Sequence, residues 1–237
     1  MLLLSNSLGT SMGMWDAQLP AFATRFRVLR YDGRGHGRSG VPGGAYGLDR
    51  LGRDVLELLD ALGVARVSFC GLSMGGMIGQ WLGARAPERL DRMVLANTSA
   101  FMGPPSGWDS RIATVLEHGM GAVADAVLER WFTPAFLETG KAAAEAPRRM
   151  LLDTSPIGYA GCCAAIRDMD MRPAGRLIAT STLVIGGSLD PATPPPHSEA
   201  LAATLQEARI VMLPAAHLSN VEMPEAFTGA ALRFLTE

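Results

Sequence analysis

No apolar run in this chain approaches the roughly 18–20 residues that a membrane-spanning helix requires, so no transmembrane segment is expected. The opening Met1-Leu2-Leu3-Leu4-Ser5 has no basic segment and too short an apolar stretch for a secretory leader. Cysteine is scarce, and the three present are Cys70, Cys162 and Cys163. An odd count with two adjacent thiols gives no disulfide framework, and a reducing cytoplasm is the expected compartment. No Cys/His cluster has metal-ligand spacing, so no metal is expected. A formal net charge of −2 supplies no electrostatic reason for a nucleic-acid or anionic-membrane partner. There is no repeat, no low-complexity tract and no Ser/Gly linker. A chain of 237 residues, 48% of them hydrophobic, then reads as one packed domain with room for an insertion.

What the chain does have is glycine, 27 residues of it, concentrated at informative places. The apolar, β-prone run Val67-Ser68-Phe69-Cys70 leads into Gly71-Leu72-Ser73-Met74-Gly75-Gly76, and an apolar stretch of helical length follows. Gly-x-Ser-x-Gly between a strand and a helix puts a serine on a sharp turn with its hydroxyl exposed above a sheet. Such a turn crowds the backbone, so the positions two before and two after the serine must be small. The following helix points its N-terminus at the serine and favours negative charge there. Glycine abundance makes the motif weak on its own, and the serine needs partners.

Apolar runs at 2–6, 28–31, 67–70, 93–97, 182–186 and 210–213 read as strands, separated by helical segments such as Leu48, Leu51, Val55, Leu58, Leu59 and Leu62 with Gly63 as the stop. This alternation implies a mostly parallel sheet covered by helices on both faces. The loop 32–40 holds four glycines but meets neither the dinucleotide nor the P-loop pattern, and its His36 reads as a loop residue. From 104 to 176 the rhythm becomes helical, with short helices expected at 122–132, 143–152 and 159–168. The expected organisation is a core of residues 1–103 and 177–237, with 104–176 inserted as a helical cap over the carboxyl edge of the sheet. A separate helical domain is the alternative.

Three groups fall just past strand ends: Ser73, Asp190 and His217. Carboxyl ends of neighbouring parallel strands share one edge, so these residues can meet. Their order is that of the α/β-hydrolase triad. A histidine accepts the serine proton and later returns it to the leaving group, while a carboxylate on its other nitrogen fixes the tautomer and stabilises the imidazolium. Of the other histidines, His36 lies in an early loop, His118 in the insert and His197 at a helix start after three prolines. Asp153, Asp168 and Asp170 lie in the helical insert without an upstream strand. Oxyanion stabilisation is expected from two backbone N–H groups, that of Met74 after the nucleophile and that of Leu8 after the first strand.

Several segments together resemble the 3-oxoadipate enol-lactonases: Asn6-Ser7-Leu8-Gly9-Thr10 with Met14-Trp15-Asp16, the 32–40 loop, the elbow, Arg130-Trp131-Phe132-Thr133, 161–170, 187–195 and His217-Leu218-Ser219-Asn220. The resemblance spans nearly the whole chain. It implies an α/β-hydrolase fold and hydrolysis of a small lactone, 3-oxoadipate enol-lactone, in bacterial catabolism of aromatic compounds, through a serine acyl-enzyme that needs no cofactor. It also implies that a β-hairpin preceding Leu2 in the family is missing here, which would bare one sheet edge. The substrate's free carboxylate calls for an arginine, with Arg130 and Arg167 as candidates and Trp131 as a pocket wall. Met77 reads as core. The rival readings are another small-ester or lactone hydrolase, a haloperoxidase-like relative, and a ligand receptor built on the same fold.

Overall fold

The computed structural model describes residues 1–237. Six strands form one fully parallel sheet: β1 Leu2–Ser5, β2 Val28–Arg30, β3 Val67–Leu72, β4 Leu90–Ala96, β5 Thr182–Gly187 and β6 Ala208–Leu213. Their order across the sheet is β2-β1-β3-β4-β5-β6. β1, β3 and β5 are buried along their whole length, as expected of strands covered on both faces. The three-residue β2 and the partly exposed β6 form the edges.

Register decides where the chemistry sits. Ser5 pairs with Gly71, Leu72 with Ala96, Ala96 with Ile185, and Gly187 with Leu213. The carboxyl ends of β1, β3, β4, β5 and β6 therefore come out along one rim, and the residues that follow them are delivered to the same place.

The helices are α1 Leu19–Ala23, α2 Leu48–Ala61, α3 Met74–Arg85, α4 Pro105–His118, α5 Gly121–Trp131, α6 Pro134–Thr139, α7 Lys141–Asp153, α8 Pro156–Asp168, α9 Pro195–Thr204, α10 Ser219–Glu222 and α11 Pro224–Leu235. α3 is the central one: every residue from Met74 to Gly83 is buried, because it lies on β3 and β4 and is itself covered by α2. α2 meets it with an apolar stripe of Leu48, Leu51, Val55 and Leu59 at helical spacing. α1 and α11 pack together, α11 lying on β4, β5 and β6.

Five helices, α4 to α8, are inserted between β4 and β5. Two of them, α4 and α6, are absent from the sequence expectation. Both begin at a proline in the first turn, where a missing N–H costs nothing, and α6 is additionally capped by the Thr133 hydroxyl. The insert is not a separate body: Val115, Leu128, Trp131, Leu151, Tyr159 and Ile166 belong to the same continuous apolar core as Leu3, Phe69 and Leu95. Its two ends are tied at a neck, where Phe101 and Asp170 form an antiparallel bridge and Met171 N–H bonds Ala100 O at 2.8 Å. The short turn Gly175–Leu177 beyond the neck packs on α3 and α9 of the core.

The elbow depends on close backbone approach. A Cβ on Gly75 would lie 2.2 Å from the carbonyl oxygen of Ser5, and one on Gly71 would lie 2.3 Å from the carbonyl oxygen of Gly75. Both neighbours are backbone and cannot swing away. Gly75→Ala is accordingly expected to cost about 2 kcal/mol in urea unfolding, the usual scale of overpacking in a close-packed interior. An unchanged midpoint would show that α3 has room to shift.

Candidate functional site

Ser73 stands between β3 and α3 with φ 58° and ψ −117°, a backbone state that only a tightly held residue retains. Its N–H bonds Ala96 O at 2.8 Å, and its carbonyl accepts the Thr98 hydroxyl at 2.7 Å. The hydroxyl lies 2.8 Å from His217 Nε2. On the far side of the ring, His217 Nδ1 lies 2.8 Å from Asp190 Oδ2. A carboxylate only accepts, so Nδ1 carries the ring hydrogen and Nε2 is free to accept from serine. All three side chains are buried. The spatial convergence expected of Ser73, Asp190 and His217 is present.

Asp190 is held by more than the histidine. Its Oδ1 accepts the N–H groups of Ala192 at 2.8 Å and Thr193 at 2.9 Å, and its Oδ2 accepts the Thr193 hydroxyl at 2.7 Å and the Asn97 amide at 3.0 Å. Burial alone would raise this carboxyl, but the charge and hydrogen bond of His217, with the Thr193 and Asn97 donors, outweigh it and hold the group below the ordinary carboxylate range. Asn97 sits at the end of β4 with φ 42°, also donates to Ala216 O at 3.1 Å, and accepts the Ser219 hydroxyl at 2.5 Å. It therefore joins the aspartate to both sides of the histidine turn. Neither Asn97 nor Thr193 was legible as part of the site, although the position of Asn97 just past a strand end was the available signal.

The two expected oxyanion donors differ in origin. Met74 is the first residue of α3, where helix geometry leaves the N–H without an intrahelical acceptor. Leu8 lies in a buried loop after β1. Its neighbours donate to Met14 Sδ from Ser7, to His36 Nε2 from Gly9 and to Ser7 O from Thr10, whereas the Leu8 N–H makes no bond within the protein.

A cavity of about 240 Å³ opens above these groups. Leu8, Ser73 and His217 form its floor side, and Trp108, Arg111, Val127, Arg130, Trp131 and Tyr159 from the inserted helices enclose it. Trp131 is buried and lines the wall as expected, and Met77 is both core and wall. Arg130 lines the cavity and has no ion-pair partner. Arg167 is a correction. It lies outside the cavity, with its guanidinium taken by Asp109 at 2.7 Å and Asp168 at 2.7 and 2.8 Å. The second arginine that lines the cavity is instead Arg111, a residue of α4. That guanidinium stacks 5.0 Å from the centre of the Trp108 ring and has no acidic partner; the Trp108 indole is fixed by a 2.8 Å bond to Met102 O. Burial pushes the Tyr159 phenol well up, so it stays protonated.

The insert is fastened to the histidine turn. Leu218 N–H bonds Trp131 O at 2.9 Å, and the Glu222 carboxylate accepts both the Ala216 N–H at 2.9 Å and the Thr133 hydroxyl. His217 thus sits between two residues whose backbones are tied to the cavity wall or to the residue that anchors it.

Residues 1–224 match the family model described as the alpha/beta hydrolase fold. The chain belongs to the α/β-hydrolase family. Within this family it is 42% identical over 229 residues to 3-oxoadipate enol-lactonase 2 of Acinetobacter baylyi, covering 97% of this chain and 86% of that one. Among solved structures, it superposes on a hydrolase from Pseudomonas aeruginosa with a TM-score of 0.97 at 55% identity, covering 100% of this chain and 89% of the other. It superposes on the enol-lactonase from Burkholderia xenovorans with a TM-score of 0.98 at 45% identity, covering 100% and 91%. No helix of this hydrolase is long and apolar enough to cross a membrane.

The depressed Asp190 carboxyl has a consequence for stability. Its folded value lies below an unfolded value near 3.9. Ionised Asp190 therefore stabilises the fold above that pH, and the contribution fades as pH falls through the folded value. Urea unfolding of wild type and Asp190→Asn between about pH 6 and pH 3 should show the smaller acid-side loss in the variant. Equal losses would mean that the carboxylate is not selectively held in the folded state.

Proposed function

We propose that this hydrolase opens 3-oxoadipate enol-lactone to 3-oxoadipate, as a step in the breakdown of aromatic compounds. The observation that carries this reading is a hydrogen-bonded Ser73–His217–Asp190 relay beneath an enclosed cavity that holds two arginines without acidic partners. The similarity to proteins named as enol-lactonases supports the choice of lactone.

In this reading, the Ser73 oxygen attacks the ring carbonyl while His217 Nε2 takes the hydroxyl proton. Charge develops on the former carbonyl oxygen, and the N–H groups of Leu8 and Met74 receive it, helped by the N-terminus of α3. Collapse of the tetrahedral intermediate breaks the ring C–O bond. The departing enolate oxygen takes the proton from His217, and the enol then becomes the ketone. Water, deprotonated by His217, attacks the acyl-serine, and the second collapse returns the proton to Ser73 as the dicarboxylate leaves. Asp190 keeps the imidazole in one tautomer throughout and stabilises its protonated form. The serine proton leaves on the enol in the first half, water replaces it through His217 in the second, and the new carboxyl gives its own proton to solvent, so the enzyme ends as it began.

The substrate carboxylate is assigned to Arg111 and Arg130. A guanidinium without a protein anion is available for bidentate pairing, and Arg111 is already braced against Trp108. Residues 1–103 and 177–237 act as the catalytic core and residues 104–176 as the cap that supplies these side chains. Three unpaired, buried cysteines fit a reducing compartment, and the cytoplasm is proposed as the location.

Two kinetic measurements test this. Following the ultraviolet absorbance of enzymatically generated enol-lactone, Ser73→Ala should lose at least about 10³-fold in kcat, on the scale of other nucleophile deletions. Loss of the lactone at the wild-type rate would remove Ser73 from the reaction. Arg111→Met and Arg130→Met should each raise KM for the anionic lactone by about tenfold, the equivalent of about 1.4 kcal/mol, with little change for a neutral ester. Equal effects on both substrates would reject the carboxylate role.

A further inference from the structure

The glycine-rich loop 32–40 has no part in the steps above, yet one of its side chains reaches the reaction centre's supporting backbone. His36 is buried, 2% exposed. Its Nε2 lies 2.9 Å from the Gly9 nitrogen and accepts that N–H. Its Nδ1 lies 3.1 Å from Arg34 O, an acceptor, so Nδ1 carries the hydrogen. These two bonds together require the neutral ring in a single tautomer, and burial, which disfavours the imidazolium, keeps it neutral against the opposing influence of the Arg34 carbonyl and of Asp32. The loop itself is anchored at two further points. The Arg34 guanidinium pairs with Asp54 on α2 at 2.7 and 2.5 Å, and the Asp32 carboxylate accepts the Met12 N–H at 2.8 Å.

Gly9 is the residue next to Leu8 and has φ 77°. Glycine has a wide choice of backbone states, so nothing intrinsic to Gly9 holds the Leu8–Gly9 peptide plane in one orientation. The bond to His36 does. Every other N–H from Ser7 to Thr10 has a partner, and the single free one is that of Leu8. A buried N–H left without an acceptor is unfavourable and rare, which points to an acceptor that arrives with the substrate.

We propose that His36 is a positioning residue for the reaction: by accepting the Gly9 N–H it locks the adjoining peptide and aims the Leu8 N–H at the oxyanion. This rests on the reading of Leu8 as an oxyanion donor. The role is played by a neutral ring that touches no reacting atom and exchanges no proton with the substrate.

The two amide side chains separate this role from general packing. Glutamine places its amide oxygen near the Nε2 position and can still accept from Gly9. Asparagine reaches only the Nδ1 position, near Arg34 O, and leaves the Gly9 N–H without its acceptor. With p-nitrophenyl acetate and rates normalised to titrated active sites, His36→Asn should lower kcat about tenfold or more with KM little changed, because an oxyanion contact acts in the transition state. His36→Gln should stay within about threefold of wild type. His36→Leu, which fills space without an acceptor, provides a second arm and should match His36→Asn. Equal rates for the Gln variant and the acceptor-free variants overturn the proposal.

Amide NMR distinguishes the two layers of the inference. When a small alkylboronic acid adds to Ser73, the Leu8 amide proton of the wild type should move downfield, and the same adduct should shift it less in His36→Asn. A wild-type Leu8 amide that does not move removes the oxyanion reading itself. A Leu8 amide that moves equally in wild type and His36→Asn removes only the role of His36.

Discussion

The aligned carboxyl ends of a fully parallel sheet are the constraint on which everything else rests. Strand pairing of Ser5 with Gly71, Leu72 with Ala96, Ala96 with Ile185 and Gly187 with Leu213 brings the strand ends to one rim, and no side chain of the site has to search for its partner. The Leu8 loop, Ser73, Asn97, Asp190 and His217 leave that rim within a few residues of their strands. Backbone hydrogen bonding of the sheet thus places the Ser73 hydroxyl beside an imidazole and a carboxylate that lie more than a hundred residues further along the chain. The same constraint explains the glycines of the elbow, since α3 must start almost on top of β1 for the serine to stand at the rim.

Preorganisation follows from how thoroughly the acid is held. Asp190 accepts from two backbone N–H groups, a hydroxyl, an amide and the imidazole, so it has no freedom to reorient when charge appears on His217. In a water-poor site such fixed dipoles count for more than they would in bulk water. The inserted helices add a second kind of order. They share the core of the sheet, and through Trp131, Thr133 and Glu222 they are bonded to the turn that carries His217. The cavity wall and the turn that carries His217 are therefore one mechanical unit.

The alternation of strands and helices along the chain was legible from its apolar periodicity, and the elbow and the three groups of the relay because each follows a β-prone run, a local signal. Asn97 and Thr193 were not, because their role is defined only by an oxygen of Asp190, which for Asn97 lies 93 positions away in sequence. The substitution of Arg111 for Arg167 has a different cause. Trp108, Ile112 and Val115 carry a helical spacing that was available to read but weak, as α4 is exposed along most of its length. Without α4 in view, Arg167 had no visible competitor, and Asp109, which neutralises it, lay in that same unrecognised helix. His36 reads from sequence as a loop residue and remains one, but its contact with Gly9 across 27 positions could not be seen without coordinates.

The account stands on Ser73 as the atom that opens the lactone. An organophosphate that phosphorylates activated serines can be titrated into the enzyme while peptide mass spectrometry reads the labelled site and the enol-lactone assay reads activity. The account predicts one label per chain, on Ser73, with activity falling in strict proportion to labelling. Full lactone hydrolysis by protein whose Ser73 is completely phosphorylated would contradict it.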